Sequence, residues 1–296
     1  MQPNDLEWIA AEIDACEVAG DMARLGSLIR YLKEQLSESS RQASGHAYWQ
    51  KLAEALLVRY ELTRDLATLR ESLDAGLKST PSWARGTAIA LSQLLGFGML
   101  LARRYEYTHL DPLADAAHQV LSTALNTVPE DDRGQRAQIL VNIAALSTKR
   151  YMQTRRTPDA ARAVQAAREA VTNAYAQEDA GIRDYSLFYL STALLLLAEQ
   201  SQDTKSMDEG VQVGLRLIVD GSPSFPDRAV ALANLKSALV ARKDLPLPLL
   251  ADWTDVASRL PVGAPGNLSP DITEVRAHVQ SLLTRNVALK RGSGRT

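Results

Sequence analysis

Six side chains carry most of the binding chemistry that this sequence offers: Asn142, Asn234, Lys51, Lys149, Arg150 and Tyr189. Asn142 and Asn234 sit at the same place in two segments that align without a gap, QRAQILVNIAALSTKRY (135–151) and DRAVALANLKSALVARK (227–243). A carboxamide both donates and accepts, so Asn side chains in a row can bond a peptide backbone bidentately. In three further copies of the segment that position holds Lys51, Gly96 and Tyr189. The competing reading of the two asparagines is a bond to neighbouring groups of their own helices. Arg136, Arg150, Arg228 and Arg242, with Lys149 and Lys236 alongside, have the charge to bind an anion. Flanking an apolar stripe, they suit ion pairs between repeats equally well, with acids such as Glu61 or Glu106. The ligand these residues imply is a peptide or a partner protein.

Catalytic chemistry finds less to stand on. Cys16 and His46 belong to no common motif, and a buried structural cysteine explains the first. His109 and His118 are nine apart, about 900° around a continuous helix and so on opposite faces, which argues against a two-His metal site. Asp111 and Asp115 stand where a helix begins, and capping and dipole complementation account for them. The sequence has no HExxH, GxSxG, P-loop, GxGxxG or paired CxxC. We therefore expect no catalytic residue, no metal and no cofactor. The alternative is a small-molecule enzyme on a helical-repeat fold, with a pocket lined by Tyr48, Trp49, Tyr105, Tyr185 and Tyr189.

The elements that position these residues are repeats. Copies of the segment start at residues 45, 90, 136, 183 and 228, a spacing of 45 to 47 residues. Within each copy, offsets 0, 4, 7 and 11 from the start fall on one side of a helix at about 100° per residue, and offset 6 points roughly 130° away. A second set of matches, EVAGDMARL (17–25) with ELTRDLATL (61–69), gives each unit a second helix after a short turn. Asp111-Pro112 and Thr157-Pro158-Asp159 read as an N-cap followed by proline at the first helical position. Tyr60, Tyr105 and Tyr151 follow the closing arginine of their units and return toward the buried stripe as packing residues.

A hairpin cannot bury its apolar face alone, so the expected fold is all-α: an α-solenoid of stacked helical hairpins, a right-handed TPR-like superhelix. We expect one such body over residues 1–290, with an incomplete N-terminal unit (1–44), a repeat core (45–244) and C-terminal capping helices (245–290), then a flexible tail (291–296).

The pattern DRA…L.NL..AL..R, with the turns Arg59-Tyr60-Glu61-Leu62-Thr63 and Arg104-Tyr105-Glu106-Tyr107-Thr108, resembles the long tetratricopeptide-like repeats that precede caspase-like CHAT protease domains. The resemblance runs over roughly residues 17–244 and implies a helical-repeat binding surface. It does not carry the protease, whose domain is an α/β fold with a His and Cys dyad.

Composition agrees with this class of fold. Of the 296 residues, 46% are hydrophobic, 23% charged and only 5% aromatic, which suits closely packed helices. A formal net charge of −2 argues against nucleic acid and membrane surfaces as partners. The single Cys16 asks for no oxidising compartment, so the expected location is the cytoplasm. Six acids precede Met22, whereas Arg276, Arg285, Lys290, Arg291 and Arg295 follow Glu274 with no acid among them. This asymmetry offers a head-to-tail self-association, and ordinary surface charge explains it as simply. The sequence-level expectation is a non-catalytic, peptide- or protein-binding adaptor.

Overall fold

The computed structural model describes residues 4–39, 45–80, 88–176 and 179–241, and further on residues 273, 275, 277, 279–281 and 284. Every regular element among them is helical. The first compact unit, Met1–Pro129, holds α1 (Asn4–Ala19), α2 (Met22–Ser39), α3 (Gly45–Thr63), α4 (Leu66–Lys78), α5 (Ala88–Thr108) and α6 (Asp111–Thr127). The second, Glu130–Thr296, holds α7 (Arg133–Thr154), α8 (Thr157–Ala174), α9 (Ala180–Ser201), α10 (Thr204–Asp220) and α11 (Arg228–Ala241). Neighbours pack as hairpins: α3 on α4 and α5 on α6 in one unit, α7 on α8 and α9 on α10 in the other. Residues 1–44 were expected to give an incomplete unit, yet α1 and α2 form a hairpin of their own. The segment from Arg242 to Asp271, with the helix, loop and Ser269-Pro270-Asp271 cap expected there, lies outside the described residues, as does the tail.

The repeat is written most plainly in the turns. Among the described residues four that are not glycine have positive φ, Arg64 (61°), His109 (55°), Arg155 (55°) and Gln202 (53°), and they are 45, 46 and 47 residues apart. Gly20, at φ 63°, lies 44 residues before the first. A left-handed residue ends a helix and redirects the chain, but it costs a side-chain-bearing residue roughly 1–2 kcal/mol. Hydrogen bonds offset that cost. Arg64, His109 and Arg155 donate their N–H to the carbonyls of Tyr60, Tyr105 and Tyr151 at 2.7, 2.8 and 2.8 Å. The residue just before each turns its hydroxyl back: Thr63, Thr108 and Thr154 donate to the carbonyls of Arg59, Arg104 and Arg150 at 2.8, 2.8 and 2.9 Å, and Ser201 to Leu197 at 2.7 Å.

The next helix then starts in one of two ways. The Asp21, Asp65 and Asp203 carboxylates accept backbone N–H bonds from the first turn, as an N-cap does. Leu110 and Arg156 cap without a side-chain bond, and Pro112 and Pro158 stand in the first turn instead. Asp111 and Thr157, expected as caps, are therefore already helical. The left-handed residue fixes the cap one position after itself, and in these two units that position is Leu110 and Arg156.

Tyr60, Tyr105 and Tyr151 are 2%, 0% and 1% exposed, so they pack inside as their spacing implies. Four residues before Gly20 and Gln202 the same position holds Cys16 and Ala198, also buried. Within the four hairpins from α3 to α10 a small residue of the first helix faces the register of a small residue 19 positions later in the second. The pairs are Ala53 with Ser72, Gly98 with Ala117, Ala144 with Ala163, and Ser191 with Gly210, all buried. Where one partner is serine, its hydroxyl donates to the other's carbonyl: Ser72 to Ala53 at 2.7 Å and Ser191 to Gly210 at 2.8 Å. A Cβ on Gly210 would stand 3.0 Å from Leu195 and 3.1 Å from Leu194, and one on Gly98 would stand 2.8 Å from Leu121. At these points the backbone of one helix therefore lies directly against leucine side chains of the other. In the first unit Arg104 ties three helices together, its guanidinium donating to Glu17 at 2.7 Å and to Glu61 at 3.0 Å. Burial raises the Glu61 carboxyl, and the charge of Arg104 opposes that shift.

Two outcomes follow from this packing. Gly210→Val should cost about 1–3 kcal/mol in chemical denaturation by overpacking the α9–α10 seam, and a cost indistinguishable from zero contradicts the close approach. The Asp65 and Asp203 carboxyls are held below their ordinary value, chiefly by hydrogen bonds from Thr68 and Ser206. Their folded pKa lies below the unfolded one, so the stability they add is present above the unfolded value and fades as pH falls through the folded one. The double variant Asp65→Asn, Asp203→Asn should be less stable than the parent at neutral pH, with the gap narrowing in acid; a gap independent of pH contradicts the assignment.

Candidate functional site

In the second unit the first helices of successive repeats, α7, α9 and α11, lie side by side in one direction. The starts of α9 and α11 both meet the end of α10. Asp184 accepts from the Ser222 N–H at 2.7 Å, Arg183 donates to the Asp220 carbonyl at 3.3 Å, and Arg228 donates to the carbonyls of Ile218 and Ser222 at 2.8 and 3.3 Å. Burial pulls the Arg228 guanidinium below its ordinary value, and the negative charge of Asp184 partly restores it. The far ends of α7 and α9 are joined as well. The Tyr151 hydroxyl is shared between Gln200 Oε1 at 2.8 Å and the Leu196 carbonyl at 3.2 Å, while Gln200 Nε2 donates to the Arg155 carbonyl at 3.0 Å. Beneath them lies a core of Leu187, Leu215, Ile218, Phe225, Leu235 and Leu239, to which Val275 and Val279 also belong.

The offsets that face this core leave the opposite side of each first helix for another use. There α7, α9 and α11 enclose a half-open groove of about 580 Å³. From α7 come Thr148, Lys149 and Met152; from α9, Phe188, Tyr189, Thr192, Leu195, Leu196 and Glu199. Asp227 and then Val230, Asn234, Ser237, Ala238 and Ala241 complete the wall around α11, and Met207 of α10 closes one side. Most of this surface is apolar, and its two methionines are adaptable packing groups. Met152 and Val230 are about half exposed, at 54% and 49%, so they form the rim. Thr148 is deepest among the polar liners at 3% exposure, and its hydroxyl has no hydrogen-bond partner among the described residues.

Of the six candidate residues, Lys149, Tyr189 and Asn234 line this groove together. Asn234 Nδ2 stands 3.5 Å from Thr192 Oγ1, the long limit of a hydrogen bond. Asn142 spends its amide on the Gln138 carbonyl, one turn back in its own helix, at 2.9 Å. Lys51 pairs with Glu54 at 2.6 Å in the first unit. Arg150 is 5% exposed and faces the buried Asp159 at 3.7 Å, across the turn from α7 to α8. Arg136 bonds Glu169 at 3.3 Å, and the bridge to Glu61 is made by Arg104. The arginines that can be located are thus occupied within the fold, while Arg242 and the basic residues from Arg276 to Arg295 lie outside the described residues. Of the N-terminal acids, Glu12 is paired with Arg24 and Glu17 with Arg104.

The sequence reading reached this face at offset 6 and, separately, at Lys149 of offset 13, without joining the two. The same face continues through offset 9 (Thr192, Ser237), offset 13 (Lys149, Leu196, Ala241) and offset 16 (Met152, Glu199), the i, i+3, i+7, i+10 progression of a helix surface. That progression was available in the sequence. Of the aromatic residues considered for an enzyme pocket, Tyr48, Trp49 and Tyr105 belong to the first unit and Tyr185 and Tyr189 to the second. Lys78 lies over the Trp49 ring at 5.0 Å, and Tyr185 stacks on Tyr189 with centroids 6.5 Å apart.

Among the described residues no group of three or more His, Cys, Asp or Glu could hold a metal ion. No helix among them is long and apolar enough to cross a membrane. Compared with known proteins, the sequence matches no family model and no curated protein.

Thr148→Val should leave the fold intact and raise its stability by about 1 kcal/mol, because it removes a buried hydroxyl that has no partner among the described residues. Denaturation of parent and variant measures this, and a loss of similar size contradicts the reading of Thr148.

Proposed function

We propose that this protein is a non-catalytic adaptor: a tetratricopeptide-like α-solenoid that binds a peptide or partner protein on the face made by the first helices of its repeats. The observation that carries the reading is the groove of about 580 Å³ across α7, α9 and α11, where Lys149, Tyr189 and Asn234 come together on an otherwise apolar surface. Repeat proteins use such faces because stacked hairpins bury one side of each first helix and leave the other as a continuous surface. The groove's chemistry fits recognition. Its hydroxyls and amide can bond a peptide backbone, and its methionines and leucines can receive apolar side chains. The resemblance to the repeats that precede CHAT protease domains supports the same reading, with those domains' proteolysis left out. Cytoplasmic residence follows from the single cysteine, which takes a tyrosine's place in the packing and has no need of a disulfide.

A small-molecule enzyme is the second reading, favoured by the volume alone, which lies in the range of about 300–1,000 Å³ usual for ligand pockets. The lining's two carboxylates, Asp227 and Glu199, belong to opposite ends of the groove and do not form an acid–base pair around one bond.

Ser237 is exposed on the groove side of α11, so Ser237→Trp fills the groove with little strain on the core. Quantitative affinity capture from extract of the encoding organism should recover a partner with the parent chain and about tenfold less with this variant, as expected when a binding surface is obstructed. Equal recovery with both chains, or no partner with either, contradicts the adaptor reading.

A further inference from the structure

The dimensions of the groove narrow what can lie in it. On α9 it runs from Phe188 to Glu199 and on α11 from Val230 to Ala241. Eleven rises along each helix, at about 1.5 Å each, make it roughly 16 Å long. About five residues of extended chain fill that length at 3.3 Å per residue. A helical ligand keeps its backbone N–H and C=O groups bonded to itself, whereas an extended one leaves them open to the groove.

Polar groups inside the channel suit an extended backbone. The buried Thr148 hydroxyl has no partner among the described residues. Asn234 and Thr192 hold each other only at 3.5 Å, a bond readily exchanged for a shorter one to a peptide group.

Charge gives the channel a direction. Asp227 stands where α11 begins, beside the start of α9, and its carboxylate has no hydrogen bond or ion pair among the described residues. The neighbouring Arg228 does not neutralise it, because that guanidinium donates to the Ile218 and Ser222 carbonyls and faces Asp184. At the other end Lys149 and Glu199 carry opposite charges and cancel as a preference. One end is therefore acidic and the other balanced.

We propose that the groove binds an extended peptide segment of about five residues, apolar in its middle, with a lysine or arginine at the end that lies against Asp227. This rests on the adaptor reading and adds to it the conformation, polarity and direction of the ligand.

The test uses three synthetic fluorescein-labelled peptides sharing the core Leu-Phe-Val-Leu, with Arg, Gln or Glu at one end, each in both chain directions. Fluorescence polarisation with the full chain should place the Arg peptide about threefold to fivefold tighter than the Gln peptide in one direction, with the Glu peptide weakest, a partly exposed ion pair being worth no more than that. Asp227→Asn should erase the difference, Asp227→Glu should keep most of it, and Ser237→Trp should abolish binding of all three. Equal binding of the three peptides, or a preference that survives Asp227→Asn, overturns the assignment of the basic end. No binding by any peptide overturns the proposal, and if partner capture still depends on Ser237 the adaptor reading stands without it. Peptide binding that Ser237→Trp leaves untouched overturns the groove as the site, and both readings with it.

Discussion

The repeat depends on how closely the two helices of a hairpin approach. In the four hairpins from α3 to α10 paired small residues, from Ala53 with Ser72 to Ser191 with Gly210, let side chains of one helix rest on the backbone of the other, and two serines turn that proximity into hydrogen bonds. Close approach fixes the length of the turn, and the turn fixes the rest. A left-handed residue must fall where the first helix ends, a tyrosine, cysteine or alanine must stand four residues before it, and the cap must follow it. The side chains of the first helix then have only two faces left. One is taken by the core, and the other is released to solvent.

That released face is where the two units differ in chemistry. In the second unit it carries apolar and hydrogen-bonding groups around a channel. In the first, its offset-6 positions hold Lys51, bound to Glu54, and the exposed Gly96, which has no side chain to offer. A smaller cavity of about 380 Å³ lies there, lined by Gln50, Ser92, Gln93 and Gly96 among others. The same scaffold thus presents different surfaces, because the packing positions constrain the repeat while the offset-6, 9, 13 and 16 positions do not. Charge follows the same division. Arginines near the core are spent on carboxylates and carbonyls, as Arg104, Arg150 and Arg228 show, and the groove is left with Lys149, Glu199 and Asp227.

The architecture was largely legible in the sequence. Apolar residues at offsets 4, 7 and 11 predicted a buried stripe, and Leu140, Ile143, Leu187, Leu190 and Leu235 are buried. Packing tyrosines were legible too, because offset 15 returns to that stripe. The turns were read one residue late at Asp111 and Thr157, since proline spacing does not reveal that His109 and Arg155 are left-handed. The completeness of the first hairpin was hidden for a related reason: Cys16 stands where tyrosine marks the other units, and Gly20 where they carry larger residues. Half of the candidate site was legible. Offset 6 identified Tyr189 and Asn234, but a single offset cannot tell that Asn142 folds its amide back onto Gln138 or that Arg150 turns inward to Asp159. Those outcomes depend on which helix packs alongside, and that information lies in another repeat.

The central claim is that the ligand meets the first-helix face of the second unit. A photo-crosslinking benzoylphenylalanine at Ser237, on α11 within the groove, compared with one at Gln165, exposed on the second helix α8, measures this most directly. The account predicts that the captured partner is crosslinked from position 237 and not from 165. Crosslinking from 165 with none from 237 contradicts it.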